Sequence, residues 1–202
     1  YWYDGVFLAA WAAYRVKDDN LVLGQTMTLN NPHLDGKFNP ESHILEAASL
    51  YRLCHYESAR RAIRHLRAKY GTLASGIARI KNSGGSAQAI LRYVRGDGDA
   101  QGFSDRDWNL IIDGVASQSA FIDADRLLVQ IDREEAALKH SNSLRPPYPA
   151  ELAAARRDAM GVARKSVARR LPEMEQEVNR QLEAALAIEV EINTRIRDRL
   201  IS

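Results

Sequence analysis

The chain has 202 residues, of which 46% are hydrophobic and 27% charged, and its formal net charge is +2 at pH 7. The apolar content excludes a disordered tail, the mild charge argues against a nucleic-acid-binding protein, and the single cysteine excludes a disulfide framework. Helix-favouring residues are frequent and strand-like alternation is nearly absent, so the sequence predicts an all-α protein. No apolar run reaches the roughly 18 residues that a membrane-spanning helix needs.

The first seventy residues contain an internal repeat. Residues 11–16 (WAAYRV) match residues 48–53 (ASLYRL) at an offset of 37 positions. Each copy predicts two amphipathic helices, with a break at residues 17–20 in the first copy and near residues 54–56 in the second. Between them, residues 30–40 contain two prolines and a glycine and predict a loop, after which Asn39 or Ser42 is expected to cap the next helix.

The second copy, residues 44–70, resembles a tetratricopeptide (TPR) repeat. The first helix has the small residue Ala47 followed by Leu50 and the aromatic Tyr51. The second helix opens with Tyr56 and Ala59 in a Tyr-x-x-Ala pattern and continues to Ile63. Small residues let two antiparallel helices approach closely, and large residues fill the space between successive pairs. The resemblance covers roughly a third of the chain and implies an α-solenoid of stacked helix pairs in residues 1–71.

The first copy departs from the TPR pattern. It keeps Ala10 and Tyr14, but Lys17 stands where the family favours glycine and Asp19 where it favours an aromatic residue. The long loop between the copies, followed by a tyrosine-rich helix, is similar to TPR proteins of deltaproteobacterial cell envelopes. That similarity favours a periplasmic or envelope-associated location over a cytoplasmic one. The sequence opens at Tyr1 and not at a methionine, which is compatible with a removed signal peptide.

The rest of the chain predicts an irregular helical middle region, residues 72–140, and a long C-terminal segment, residues 150–202. Short helices are expected at 72–81 and 86–94, and a longer one from Ser104 to about Lys139 with a break near Gly114. Residues 141–149 form a proline-rich linker.

The C-terminal segment is predicted to be a long coiled-coil-like helix or a helical hairpin, in which Pro172 causes a kink or begins a new helix. A group of basic residues precedes Pro172 and a group of glutamates follows it. The basic residues are Arg156, Arg157, Arg164, Lys165, Arg169 and Arg170, and the glutamates are Glu173, Glu175, Glu177, Glu183, Glu189 and Glu191. This segregation suits antiparallel packing against another helix or against a second copy of the chain, although a solvated helix surface explains it equally well.

No group of residues predicts catalysis, so the sequence indicates a protein that is not an enzyme, with no cofactor and no assigned metal site. Cys54 and His55 are adjacent and therefore point to different faces of a helix. The alternative is a divalent-metal-dependent enzyme or ligand-binding helical domain that uses Asp97, Asp99 and Asp105, whose spacing partly follows a calcium loop. The closing glutamate of such a loop would fall at Trp108, which argues against calcium.

By resemblance to TPR arrays, the first helix of each pair lines a concave groove that holds a peptide or a partner helix. The positions expected to face it are Phe7, Trp11, Tyr14, Arg15, Ile44, Ala48, Tyr51 and Arg52. Aromatic residues and arginines are common interface anchors, although the same residues also suit packing between neighbouring helices. The expected function is a protein–protein interaction scaffold within a bacterial envelope assembly, with self-association through the C-terminal helices also open.

Two repeats are fewer than the three that a stable stack usually needs. The sequence therefore predicts either that later helices cover the exposed end of the stack or that the chain belongs to a longer array.

Overall fold

The computed structural model describes residues 2–82, 86–94, 105–139 and 148–201. Within these ranges helices are the only regular elements, which confirms the all-α prediction. The α-helices are α1 (Trp2–Arg15), α2 (Asp19–Leu29), α3 (Pro40–Arg52), α4 (Tyr56–Tyr70), α5 (Leu73–Asn82), α6 (Ser86–Val94), α7 (Asp105–Ala116), α8 (Ser119–Lys139) and α9 (Tyr148–Ile201), and a short 3-10 helix, Pro32–Leu34, follows α2. None of the described helices is both long enough and apolar enough to cross a membrane.

The two predicted helix breaks are confirmed, and they have the same backbone conformation. Lys17 and Cys54 stand at equivalent positions of the repeat, and each has a φ of 61°. In the first turn the amide of Asp18 donates to the carbonyl of Ala13 (3.0 Å), and in the second the amide of His55 donates to the carbonyl of Leu50 (2.8 Å). A left-handed residue that closes the end of a helix in this way satisfies carbonyls that would otherwise lack a donor.

The chain divides into two compact units. The first unit comprises Tyr1–Gly76 and Met174–Ser202, and the second comprises Ile77–Glu173. In the first unit α1 packs against α2, α2 against α3 and α3 against α4, as expected for two successive antiparallel pairs. Asn39 is the side chain that caps α3, because its Oδ1 accepts from the amide of Ser42 at 3.2 Å.

The core between the two helix pairs combines small alanines with larger aliphatic residues. Ala10, Ala13, Val22, Leu29 and Leu45 are buried together, and partly buried aromatic residues of α1 pack against them. The alanines of α1 allow the close approach of helices that the repeat pattern predicts.

The C-terminal part of α9 packs within the first unit. Its buried residues are Met174, Val178, Gln181, Ala185 and Ile192. Arg67 of α4 makes two hydrogen bonds to the carboxylate of Glu189 (2.8 and 2.6 Å), and Arg60 donates to the side-chain oxygen of Asn193 (2.7 Å). The side of α4 that carries Arg60 and Arg67 is therefore in contact with the chain's own C-terminal segment.

The second unit has its own core. Its buried side chains include Trp108, Leu110, Ile111, Val115, Phe121, Leu128, Ile131, Ala163, Val167 and Leu171. Arg156 of α9 forms ion pairs with Asp132 and Glu135 of α8. The predicted break near Gly114 falls slightly later, since α7 ends at Ala116 and α8 begins at Ser119.

Helix α9 is a single helix and not a hairpin, and no new helix begins at Pro172. Pro172 is exposed, and so is Ala168, whose carbonyl loses its intrahelical donor. Water can therefore reach the carbonyl that proline leaves unpaired, which keeps the cost of the interruption low. Of the predicted linker, residues 141–147 lie outside the described residues, and the last two residues belong to the first turn of α9.

The two left-handed turns generate a stability prediction. Because Lys17 and Cys54 bear a Cβ in a conformation that favours glycine, Lys17→Gly and Cys54→Gly should each raise the free energy of unfolding by about 0.5–1 kcal/mol. The adjacent substitution Leu53→Gly is the control. Leu53 has a φ of −79°, which does not favour glycine, so this substitution should lower the free energy of unfolding. Urea unfolding measures all three, and a loss of stability in both left-handed variants would contradict the turn assignment.

A buried histidine generates a pH prediction. Burial, with a smaller contribution from Lys69, lowers the pKa of His43 from 6.5 to about 3. Because the folded pKa lies below the unfolded value, the stability associated with neutral His43 is present above about pH 6.5 and is lost as the pH falls toward 3.

Urea unfolding at pH 7 and at pH 4.5 measures this effect. Between the two pH values, the free energy of unfolding of the native chain should fall by roughly 2 kcal/mol more than that of the His43→Phe variant. His33→Gln, at an exposed position in the 3-10 helix, is the control and should keep the native pH dependence. An identical pH dependence in His43→Phe and the native chain would refute the assignment.

Candidate partner-binding site

The aromatic residues predicted to face a groove on α1 lie partly buried. Phe7, Trp11 and Tyr14 are half-exposed and pack against the core between the two helix pairs. The rings of Trp11 and Tyr14 meet edge to face, with centroids 5.7 Å apart. These side chains therefore contribute to packing while leaving part of each ring accessible.

Arg52 joins the second helix pair to the first. Its guanidinium lies over the ring of Tyr14, 4.1 Å from the centroid. Its Nε, at 2.9 Å, and its Nη2 both donate to Oδ1 of Asp19. It also donates to the backbone carbonyl of Tyr14 at 3.5 Å. Because the Asp19 side chain is only 11% exposed, the pair is shielded from much of the solvent that weakens surface ion pairs. Arg52 thus acts within the protein as a bridge between α3 and the α1–α2 turn.

The remaining predicted residues divide by exposure. Ile44 and Ala48 lie half-buried on α3, and Arg15 is exposed at the end of α1. The structure thus brings Trp11, Tyr14 and Arg52 together in one cluster.

Tyr51 belongs to a second cluster, which includes the end of α9. Its hydroxyl donates to Glu191 Oε2 (3.3 Å) and accepts from Arg195 Nε (3.4 Å). The hydrogen bond between Tyr51 and Arg195 raises the pKa of Arg195, so the guanidinium keeps its charge. The ring of Tyr51 also lies near that of Tyr56, with centroids 5.9 Å apart.

These residues line a cleft, which we call the tyrosine–arginine cleft. It has a volume of about 670 Å³ and lies between the α3–α4 turn and the last turns of α9. Its lining consists of Tyr51, Arg52, Cys54, Tyr56, Arg195, Asp198 and Arg199. A second cleft of about 360 Å³ shares two of its lining residues, Cys54 and Tyr56, and extends along the start of α4.

The cleft brings guanidinium groups beside tyrosine rings, and Asp198 adds one carboxylate to its lining. Arg199 lies 5.4 Å from the ring centroid of Tyr56, and a hydrogen bond with Cys54 raises the pKa of the Tyr56 hydroxyl. The tyrosine is therefore a neutral donor at physiological pH, beside guanidinium groups that can bind a carboxylate with two hydrogen bonds.

Sequence reasoning identified Tyr51 and Arg52 but missed Arg195, Asp198 and Arg199. Tyr51 and Arg195 are separated by 144 positions, and no local pattern relates residues so far apart. The basic residues at the end of α9 were visible as charges, but the sequence does not specify which helix they contact.

Two of the three residues of the alternative metal site lie outside the described residues. Asp97 and Asp99 are not described, and Asp105 is the first residue of α7. Among the described residues, no group of three or more histidine, cysteine or acidic side chains is arranged to hold a metal ion.

Comparison of the chain with protein-family models, with curated proteins and with solved structures finds no match.

The bridge made by Arg52 generates a prediction about coupling. In a double-mutant cycle, Asp19→Ala and Arg52→Ala should show an interaction of about 1–2 kcal/mol in the free energy of unfolding, because two charged donors share one oxygen of a partly buried carboxylate. The control cycle uses Asp123 and Arg126. The distance from Asp123 Oδ1 to Arg126 Nη1 is 3.8 Å, and the two side chains are 71% and 77% exposed. We expect almost no coupling there, and equal coupling in the two cycles would show that the bridge is an ordinary surface pair.

Proposed function

We propose that this chain is a non-enzymatic interaction scaffold with TPR-like helix pairs, which binds a carboxylate-bearing segment of another polypeptide in the tyrosine–arginine cleft. The observation that carries the proposal is the convergence of two tyrosines and three arginines on one open cleft beside the helices of the repeat.

The TPR-like arrangement is supported by two features of the first unit. The turns at Lys17 and Cys54 are equivalent in φ and in hydrogen bonding. Each helix also packs against the next along the chain, with an additional contact between α1 and α3, the first helices of the two pairs. Stacked helix pairs of this kind present one side to a ligand while neighbouring pairs bury the other.

The nature of the ligand follows from the cleft. Arg52 is paired with Asp19, and Arg195 and Arg199 lie with Tyr51 and Tyr56 around the opening. Arginine and tyrosine contribute a large part of binding energy at many interfaces, because they combine apolar contact with directional hydrogen bonds. A peptide carrying an aspartate, a glutamate or a terminal carboxylate would place its anionic group beside the guanidinium of Arg195.

The setting that we propose is an assembly of the bacterial cell envelope. It rests on the similarity of the long loop between the two pairs, and of the helix pair after it with Tyr51, Tyr56 and Tyr70, to TPR proteins of deltaproteobacterial envelopes. The binding test below does not depend on this setting.

An array of immobilised acidic peptides, each paired with a version in which Asp and Glu are replaced by Asn and Gln, tests the ligand class. The purified chain should retain acidic peptides in preference to their neutral partners. Arg195→Gln and Tyr51→Ala should each weaken retention by about tenfold, as expected for loss of an interface anchor. The double variant Tyr14→Ala/Tyr51→Ala should abolish it.

The matched control is Arg64→Gln, which removes an exposed arginine from α4 away from the cleft and should bind like the native chain. Circular dichroism should show the same helical signal for all variants. Equal retention of acidic and neutral peptides, or full retention by Arg195→Gln and Tyr51→Ala, would show that the cleft is not the binding site.

A further inference from the structure

The outer face of α1 carries an exposed apolar stripe. Trp2, Leu8 and Val16 are 59%, 66% and 76% exposed, and the small residues Gly5, Ala9 and Ala12 between them are exposed too. Steps of three and four residues place Trp2, Gly5, Leu8, Ala9 and Ala12 on one side of α1, opposite the buried Ala10. Val16 directly follows the last residue of α1 and extends the stripe, since its amide still donates to the carbonyl of Ala12 at 3.2 Å. Large apolar side chains grouped on one exposed face are typical of an interaction surface.

The internal repeat shows what this face does in a stack. At the offset of 37 residues, Gly5, Leu8 and Ala12 correspond to Ser42, Leu45 and Ser49 of α3. Those three α3 residues are 1%, 2% and 0% exposed.

The first helix pair covers this α3 face. Ser42 Oγ donates to Asn30 Oδ1 at 2.6 Å, and Asn30 Nδ2 donates to Glu46 Oε2 at 2.8 Å. The same face is thus a buried packing surface on α3 and an uncovered one on α1.

The other end of the repeat is already covered. Arg60 and Arg67 of α4 contact Asn193 and Glu189 of α9, and the apolar residues of α4 that correspond to the α2 packing face are buried. A second copy therefore cannot use its α4 side to cover α1 and extend the stack head to tail. The arrangement that remains for two copies is a closed one, in which the same surface meets itself.

The charges beside the stripe are complementary to themselves. Asp4 and Arg15 are both exposed and lie on the same flank of α1, near its two ends. If two copies of α1 pack antiparallel about a two-fold axis, Asp4 of each copy comes beside Arg15 of the other. The midpoint between Asp4 and Arg15 also lies close to the midpoint of the apolar stripe, so the ion pairs and the apolar contact favour the same register.

We propose that the outer face of α1 is a surface for homodimerisation, on which a second copy of the chain packs its own α1 antiparallel, with Gly5, Ala9 and Ala12 allowing close approach. This surface is separate from the tyrosine–arginine cleft. A helix of 14 residues spans only about 21 Å, so the interface is small and the dissociation constant should be in the micromolar range. The dimer is therefore expected to form as the protein concentration rises.

Sedimentation velocity over about 1 µM to 1 mM of the purified chain tests the proposal. The native chain should pass from monomer to dimer without forming larger species, and Leu8→Glu should remain monomeric because it buries two carboxylates near the axis. The control is Leu186→Glu, at a leucine of α9 that is 56% exposed. This variant should dimerise like the native chain. Both substitutions are at exposed positions, and circular dichroism checks that folding is unchanged.

Charge reversal tests the geometry independently. Asp4→Arg and Arg15→Asp should each weaken the dimer about tenfold, because two attractive pairs become repulsive. The double variant Asp4→Arg/Arg15→Asp should restore native affinity, since the two-fold axis recreates both pairs. A native chain that stays monomeric over the whole range, growth beyond a dimer, or a double variant no tighter than the single ones would overturn the proposal.

Discussion

The contact between α3 and the α1–α2 pair is the interaction on which the first unit depends. Each helix pair is too thin to bury its own apolar face, so each must pack against a neighbour. Arg52 holds this contact in one register, because its planar guanidinium meets the ring of Tyr14 and the carboxylate of Asp19 at the same time. Asn30 fixes the opposite end of the interface through Ser42 and Glu46. Polar contacts at both ends thus align an apolar core of small residues.

This arrangement makes the two ends of the repeat unequal. Beyond α4, the chain supplies its own cover in the form of Met174–Ser202, and arginines of α4 pair with polar side chains of α9. Before α1, the equivalent packing face is exposed and remains apolar. A helix whose outer face met only water would be expected to carry polar residues on that face. The contrast between the two ends is the physical basis for assigning a partner to α1.

The C-terminal segment also changes the nature of the predicted groove. The C-terminal part of α9 places Arg195 and Glu191 on the hydroxyl of Tyr51, so one wall of the tyrosine–arginine cleft comes from a distant part of the sequence. The cleft combines charges from α9 with rings from the repeat. Its ligand preference would therefore depend on both, and a chain with the same repeat but a different C-terminal helix would present a different surface.

Local pattern was enough to establish the helices and their breaks. Periodicity and turn residues predicted the end of α1 before Lys17 and the end of α3 before Cys54, because a helix boundary depends on residues within a few positions of it. The repeat also placed Trp11, Tyr14, Tyr51 and Arg52 on first helices. By contrast, the partner of Arg52, the position of α9 against α4 and the membership of Arg195 in the cleft depend on contacts between residues tens to more than a hundred positions apart. Such contacts depend on how the apolar faces of separate helices pack, which the pattern within a single helix does not specify.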